Sequence, residues 1–248
     1  VRDEQTVKSY EFGLRADWLG GSLRTNLTAF YTDWSEVPVS TYVATRFWDL
    51  DGNGFAEPFG QIDADGQPGN DIYFFPSLYT AGVKKAEAKG IEFESTWRPT
   101  DGLSLNLNLG WLDTAYTELG QAGAGVVPAV TTGSQFAGAP EYTANLGASY
   151  EFGLAGGSSI TPRLDYTWTD EYTLQTGEVL QRKQEAFGLL NARIQYNSGS
   201  NWSAALTGAN LTNEYYFNSG FYTRAEQIHF MTVGRPREWG LTFNWRFE

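Results

Sequence analysis

The chain has 248 residues and a formal net charge of −12, from 17 basic and 29 acidic side chains. An acidic chain of this kind is not expected to bind nucleic acid, because contacts with phosphates need a basic surface. The absence of cysteine excludes a disulfide-stapled fold, thiol catalysis and zinc–thiolate sites.

Nine segments in which apolar and polar residues alternate run through the sequence. A period of two with one apolar face predicts β-strands. Pro162 weakens the sixth segment as a strand, because proline cannot donate a ladder hydrogen bond. In chain order the predicted strands are Tyr10–Trp18, Leu23–Tyr31, Ile91–Arg98, Leu103–Trp111, Tyr142–Phe152, Ile160–Trp168, Leu190–Tyr196, Trp202–Leu211 and Glu238–Phe247.

The gaps between these segments alternate between short and long. Short turns follow the first, third, fifth and seventh strands, and long loops follow the others, at roughly 35–85, 113–139, after strand six and up to about 232. Outer-membrane β-barrels have this arrangement, with short periplasmic turns and long extracellular loops. No run of about 18 apolar residues is present, so no transmembrane helix is expected. The sequence therefore predicts an all-β fold, an antiparallel portion of a transmembrane β-barrel.

Aromatic residues cluster at both ends of the predicted strands, as in the interfacial girdles of membrane barrels. The alternative is a soluble β-sandwich or β-solenoid, whose water-facing side should be rich in Lys and Glu. Here the polar face is mainly Ser, Thr, Asn and Gly, which favours a hydrated lumen. The girdle residues are Trp18, Trp97, Phe152, Tyr196, Trp202 and Phe247 next to the short turns, and Trp111, Trp168 and Trp239 at the loop ends.

Residues 208–216 (GANLTNEYY), residues 234–239 (GRPREW) and the aromatic last strand together resemble the C-terminus of TonB-dependent receptors, which are transporters of the outer membrane. Residues 8–13 and 89–94 are similar to recurring strand starts of that family. The resemblance covers most of residues 6–247. It implies that the last strand carries the signal read by the barrel-assembly machinery, which consists of Trp239, Leu241, Phe243, Trp245 and Phe247.

Two features depart from the pattern of that family. Glu248 follows Phe247, whereas members usually end on the aromatic residue. The plug domain and the segment that contacts TonB have no counterpart in residues 1–248, and an odd number of strands cannot close a bacterial barrel without leaving open edges in lipid. We therefore expect residues 1–248 to be the C-terminal portion of a receptor barrel.

Candidate catalytic groups are few, and neither a catalytic residue nor an enzyme activity is expected. His229 lies in the predicted loop before the last strand, where a solvated or ligand-contacting role is favoured over a general base. Glu92 and Glu94 face the same side of one strand and could form a carboxylate pair. They are interpreted as lumen-lining charges, which the resemblance places against the plug or along the substrate path.

The loop at 49–57 matches the first half of a calcium-binding loop. It has oxygen ligands at positions one, three, five and nine, a glycine at six and the Phe55 carbonyl at seven. Position twelve is Gly60 instead of a bidentate Glu, although Asp63 or Asp65 could substitute. A solvated acidic turn and a structural calcium ion both stay open, and no other cofactor is expected. The candidate ligands are Asp49, Asp51, Asn53, Phe55 and Glu57.

Aromatic residues are also concentrated in the predicted loops. They either pack the loops together or stack on a ligand such as a sugar or an aromatic compound. Arg235 and Arg237 could attract an anion, but their place in the terminal signature favours a structural role. The candidate ligand-binding residues are Trp48, Phe55, Phe59, Tyr73, Phe75, Tyr216, Phe221, Tyr222 and Arg224.

The resemblance implies an active-transport receptor in the outer membrane of Gram-negative cells. It would bind a scarce nutrient (a siderophore, vitamin, saccharide or aromatic compound) at its loops and admit it when TonB displaces the plug. The expected partners are outer-membrane lipid, the plug, TonB, the barrel-assembly machinery and a small-molecule ligand. The alternatives are a passive porin or structural barrel, and a secreted carbohydrate-binding β-protein that dissolves without detergent.

Overall fold

The computed structural model describes residues 4–44, 76–120, 130–175, 183–223 and 228–247. Within these ranges the chain consists of β-strands, connecting segments and two short 3-10 turns, Leu19–Gly21 and Ala155–Gly157. No helix in the described part of the chain is long and apolar enough to cross a membrane. The strands are β1 (Thr6–Trp18), β2 (Leu23–Ala44), β3 (Pro76–Trp97), β4 (Leu103–Leu119), β5 (Tyr142–Tyr150), β6 (Phe152–Gly153), β7 (Ser159–Thr169), β8 (Tyr172–Thr173), β9 (Lys183–Gln184), β10 (Phe187–Asn197), β11 (Trp202–Ala209), β12 (Phe217–Thr223), β13 (Ile228–Val233) and β14 (Glu238–Trp245).

One antiparallel sheet contains the nine predicted strands. Among the described residues their order is β1-β2-β3-β4-β5-β7-β10-β11-β14, and the short β6 pairs with β7. Each long strand pairs with its neighbours in sequence, so the sheet is an up-and-down meander of the kind that forms membrane barrels. All the short turns consequently lie at one end of the sheet and all the long connections at the other. This confirms the predicted fold class and the alternation of turns and loops.

The apolar residues of neighbouring strands align into continuous rows on one face. Leu14 pairs with Leu27, Leu27 with Phe93, and Phe93 with Leu109. Leu14, Leu27 and Leu109 are exposed and Phe93 is half-buried, and on the last strand Leu241 reaches 80% exposure. An apolar face of this extent is expected where lipid hydrocarbon covers a sheet. We call it the outer face, and the opposite polar face the inner wall.

Several strands extend further towards the long loops than their periodicity predicted. β2 continues to Ala44 and β3 begins at Pro76, so the predicted loop of 35–85 is wrong at both ends. Glu36 has a φ of +57°, and Trp34, Val37 and Val39 all pack into one apolar cluster. Strict alternation would separate Trp34 from Val37 and Val39. The irregular backbone at Glu36, where the β2–β3 ladder lacks a pair without changing register, therefore interrupts the period of two.

β4 also runs past the predicted end of strand four, to Leu119. Its ladder with β3 shifts register between Val83 and Ala86, which interrupts the alternation in the same way. The connection before the last strand was predicted as a loop, but it contains the β12–β13 hairpin. His229 therefore lies in a strand, paired with Tyr222, and its prediction as a loop residue is wrong.

The predicted fifth strand is divided in two. Ser149 pairs with Arg163 and Phe152 pairs with Ile160, while β5 ends at Tyr150 before β6 begins. Pro162 lies opposite this break and has no N–H to donate to the ladder, which accounts for the interruption. On its other side Pro162 stays in register with β10.

Candidate functional site

The inner wall carries a network of polar side chains that crosses several strands. Arg15 on β1 donates from Nε to Oδ1 of Asn26 on β2 at 3.0 Å. Asn26 donates from Nδ2 to Oε2 of Glu94 on β3 at 3.1 Å. Nearer the short turns, Arg24 Nε lies 2.7 Å from Asp17 Oδ1. A face of this composition suits contact with water or with another polar surface.

A concavity of about 320 Å³ lies on this part of the inner wall. The concavity is lined by one cationic and one anionic side chain, since Arg24 pairs with Asp17 and Glu94 accepts a hydrogen bond from Asn26. Glu92 faces the same side of β3, two residues further along. The concavity can therefore accept a polar group that donates hydrogen bonds to Glu94. Its lining includes Arg24, Asn26, Glu94, Thr96, Asn106 and Asn108.

A second polar cluster forms over Gly147 on β5. On the adjacent β7, Arg163 donates from Nε to Oδ2 of Asp165 at 2.7 Å. A Cβ atom on Gly147 would lie 2.4 Å from Asn106 Nδ2 and 2.8 Å from Asp165 Oδ1. Glycine therefore lets polar groups of β4 and β7 meet above β5. The sequence signal for this cluster was a glycine inside an alternating strand, which marks a close approach of neighbouring groups.

At the loop end of the inner wall, part of the β4–β5 connection folds back over the sheet. The Phe136 ring centroid lies 5.8 Å from that of Trp34 and 4.9 Å from that of Tyr116. The Phe136 N–H donates to Thr114 Oγ1 at 3.0 Å, and Val130 is buried in the same cluster. The connection therefore narrows the space in front of β2–β4 instead of extending away from it.

Most of the predicted ligand and calcium residues lie outside the described part of the chain. Phe221 and Tyr222 pair through their backbones with Phe230 and His229, and their side chains lie outside the described part of the chain. No group of three or more His, Asp or Glu side chains that could hold a metal occurs in the described ranges. The predicted residues outside the described ranges are Trp48, Asp49, Asp51, Asn53, Phe55, Glu57, Phe59, Tyr73, Phe75 and Arg224.

Tyr216, a predicted ligand residue, lies in the described part of the chain between β11 and β12. Its ring stacks on Phe187, with centroids 4.6 Å apart and planes at 15°. Its backbone carbonyl accepts the Gly234 N–H at 2.8 Å. The side chain thus packs at the base of the loops, whereas the neighbouring Tyr215 is exposed.

The terminal signature is organised around Asn210, which is 4% exposed and has a φ of +47°. Its Nδ2 donates to the carbonyl oxygens of Glu214 at 2.8 Å and Arg235 at 3.0 Å. Its Oδ1 accepts the Glu214 N–H at 2.8 Å. Arg237 donates from Nη1 to the Leu211 carbonyl at 3.4 Å. These contacts support a structural role for the Arg237 side chain and for the backbone at Arg235.

The predicted assembly residues lie along the exposed outer face of the last strand and just beyond it. Their rings and those of neighbouring strands contact each other, with Trp202 and Phe243 centroids 5.7 Å apart. Recognition by the assembly machinery stays a prediction. The exposed residues are Trp239, Leu241, Phe243, Trp245 and Phe247.

Sequence reasoning missed the residues that join the loops to each other. Gln184 is buried, and its side-chain oxygen accepts a backbone N–H located 33 residues away in sequence. Burial raises the pKa of the nearby Tyr172 above its usual value, with Tyr216 contributing in the same direction. No periodicity marks Gln184 or Tyr172, so no sequence signal could have found them.

Comparison with known proteins gives a family and a set of similar folds. Residues 3–211 match the family model described as "TonB dependent receptor-like, beta-barrel". The ferric yersiniabactin uptake receptor FyuA from Yersinia pestis is 17% identical with a TM-score of 0.69, over 98% of this chain and 30% of that one. The siderophore receptor PiuA from Acinetobacter baumannii is 17% identical with a TM-score of 0.65, over 96% and 28%.

The ferric preacinetobactin receptor BauA from the same organism is 18% identical with a TM-score of 0.60, over 97% of this chain and 29% of that one. At these identities the structural likeness shows the fold. The chain spans less than a third of the length of the receptors it resembles.

Proposed function

This chain belongs to the TonB-dependent receptor family of β-barrels, and from that membership we propose that it forms the nine-strand portion of a larger barrel for active nutrient uptake. The family match carries the proposal. The fold agrees with it, because one face of the sheet is mainly apolar and the other is mainly polar. The proposed location is the outer membrane of Gram-negative cells.

The proposed substrate class is a ferric siderophore or a chelate of similar size. This is supported by the solved receptors of similar fold, which are described as receptors for ferric yersiniabactin, ferric preacinetobactin and siderophores. The protein would contribute binding and gating without breaking or forming covalent bonds. Vitamin, saccharide and aromatic substrates stay open for the same scaffold.

The inner wall is proposed to contact a plug domain that TonB displaces. The carboxylates of Glu94 and Glu92 suit basic groups of such a domain, since charge-assisted hydrogen bonds are strongest between ionised partners. Asn106 and Asn108 would supply further hydrogen bonds from their amides. Lipid would cover the outer face, and the barrel-assembly machinery would recognise the last strand.

Uptake measurements in iron-limited cells test this proposal. Disruption of the gene is expected to abolish accumulation of radiolabelled iron supplied as a ferric siderophore. Accumulation in the parent strain should saturate and should stop when an uncoupler collapses the proton-motive force. Uptake that neither saturates nor responds to the uncoupler would contradict the proposal and favour a passive porin.

A structural calcium ion in the loop at 49–57 is proposed separately, from the ligand pattern in the sequence. Calcium should protect this loop from proteolysis, with protection saturating as calcium is titrated. Replacement of Asp49 and Asp51 by Asn should remove the protection. Cleavage that is unchanged by calcium would eliminate the site.

A further inference from the structure

Two of the long connections meet at Phe217, the first residue of β12. Its N–H donates to Oε1 of Gln184 on β9 at 2.8 Å. Its carbonyl accepts the hydroxyl of Tyr172 on β8 at 3.2 Å. Both backbone polar groups of one residue are therefore bound by side chains from a different connection. We call Tyr172, Gln184 and Phe217 the loop junction.

The position of Gln184 is closely determined. The residue is 6% exposed, and its Nε2 donates to the Glu185 carbonyl at 2.8 Å. It pairs with Tyr172 in the β8–β9 ladder, so both junction side chains leave the same short ladder. A buried amide is costly unless both its oxygen and its nitrogen are bonded. Gln184 meets that condition through Phe217 and Glu185.

An aromatic contact lies beside the loop junction and joins the same connections. Phe187, which follows β9, is buried and stacks on Tyr216, which precedes β12. A Cβ atom on Gly234, just after β13, would lie 2.2 Å from the Tyr216 ring. The base of the β12–β13 hairpin is therefore held by hydrogen bonds on one side and ring packing on the other.

We propose that Gln184 is a positioning residue that joins the β8–β9 ladder and the β12–β13 hairpin into one rigid extracellular unit. A ligand that contacts either connection then binds a surface that is already ordered, so binding loses less conformational entropy. This consequence for ligand binding rests on the proposed receptor function. The mechanical coupling of the two connections does not.

Hydrogen exchange in the protein purified from outer membranes tests the coupling without any ligand. In Gln184→Leu, amides of the hairpin (217–223 and 228–233) and of the β8–β9 ladder should exchange about tenfold faster, because a buried N–H loses its acceptor. Tyr172→Phe, which removes one hydroxyl, should accelerate the same two regions by a smaller factor. This milder variant keeps the test decisive if Gln184→Leu folds poorly.

Lys183→Met is the matched control for these variants. Lys183 is the exposed neighbour of Gln184 and pairs with Glu171 at 2.7 Å on the surface, where ion pairs contribute little. Exchange in this variant should match the parent protein. Faster exchange confined to the β8–β9 ladder in Gln184→Leu and Tyr172→Phe, with the hairpin at its parent rate, would overturn the coupling.

Ligand dissociation tests the positioning role. The probe is the ferric chelate that the uptake assay identifies, and Gln184→Leu should release it about tenfold faster than Lys183→Met does. Equal release rates would overturn the positioning role of Gln184. If the two connections exchange together but no ferric chelate binds the parent protein, the proposed function fails while the loop junction stands.

Discussion

The nine-strand wall and the extracellular connections are built on different principles. Along the wall, each residue's face follows from its place in an alternating segment, and neighbouring strands repeat the pattern. At the base of the connections, order depends on a few buried polar side chains, among them Gln184 and Asn210, whose partners lie far away in sequence or on the backbone. The wall therefore tolerates many conservative changes, whereas the connections depend on single residues.

The largest effect is expected from a charge on the outer face of the wall. Leu27 lies midway between Leu23 and Tyr31, nine residues that are long enough to cross the hydrocarbon layer, so we place it at the centre of that layer. Leu27→Arg should lower the free energy of unfolding in lipid vesicles by about 2–4 kcal/mol. Urea titration of the reconstituted protein measures it.

Thr28→Arg is the control for Leu27→Arg, because Thr28 is next in sequence and faces the inner wall. Its cost should stay below about 1 kcal/mol, since the new guanidinium reaches water. Equal costs for the two variants would remove the distinction between the faces.

A smaller loss is expected at the base of the connections. Asn210→Ala removes three hydrogen bonds of a buried side chain and leaves alanine at a φ of +47°. The unfolding free energy should fall by about 2 kcal/mol. Thr212→Ala, an exposed change in the same turn, should stay within about 0.5 kcal/mol. Similar values for both would show that the terminal signature is not organised by Asn210.

Two glycines on the inner wall differ in how closely side chains of neighbouring strands approach them. Gly147→Ala places a Cβ against Asn106 and Asp165 and should cost about 1 kcal/mol. At Gly13 the nearest atom to an added Cβ is Thr28 Oγ1 at 3.9 Å, so Gly13→Ala should be neutral or slightly stabilising. A denaturant titration that ranks the two variants in the opposite order would contradict the polar cluster over Gly147.

The smallest effect is the response of the loop junction to alkaline pH. Burial raises the pKa of Tyr172 above the ordinary value near 10, so the folded connections favour the protonated phenol. The contribution of Tyr172 to the stability of the loop junction is therefore complete below a pH of about 10. It declines as the pH rises through the higher pKa that Tyr172 has in the folded protein. Hydrogen exchange corrected for intrinsic rates should show hairpin protection falling there in the parent protein, with a weaker pH response in Tyr172→Phe.

Sequence reasoning succeeded where structure is repetitive and local. The segments from Tyr10 to Trp18 and from Leu103 to Trp111 lie in strands as predicted, because side-chain alternation fixes which face each residue occupies. It failed at Glu36, where a single irregular residue switches the faces, and at β12–β13, where no clean alternation exists. The role of Gln184 could not be predicted from the sequence, because it depends on a contact with Phe217 that only the fold creates.

The candidate site also contains some features that alternation predicts and others that depend on contacts between distant residues. Glu92 and Glu94 were placed on the polar face by alternation alone, and the structure puts them on the inner wall as expected. The meeting of Asn106, Arg163 and Asp165 over Gly147 depends on the register of three strands, which the sequence did not specify. The loop aromatics could be recognised as a group, but Tyr216 packs against Phe187 through a contact that periodicity does not encode.

The central claim is that lipid covers one face of this sheet and water covers the other. The accessibility of nitroxide labels along β2 tests it most directly. The chain contains no cysteine, so single cysteines can be introduced from Leu23 to Tyr31 and labelled one at a time in vesicles. Collisions with oxygen should peak at positions 23, 25, 27, 29 and 31, and collisions with a water-soluble nickel chelate at the positions between them. Equal access of both reagents along the segment would contradict the account.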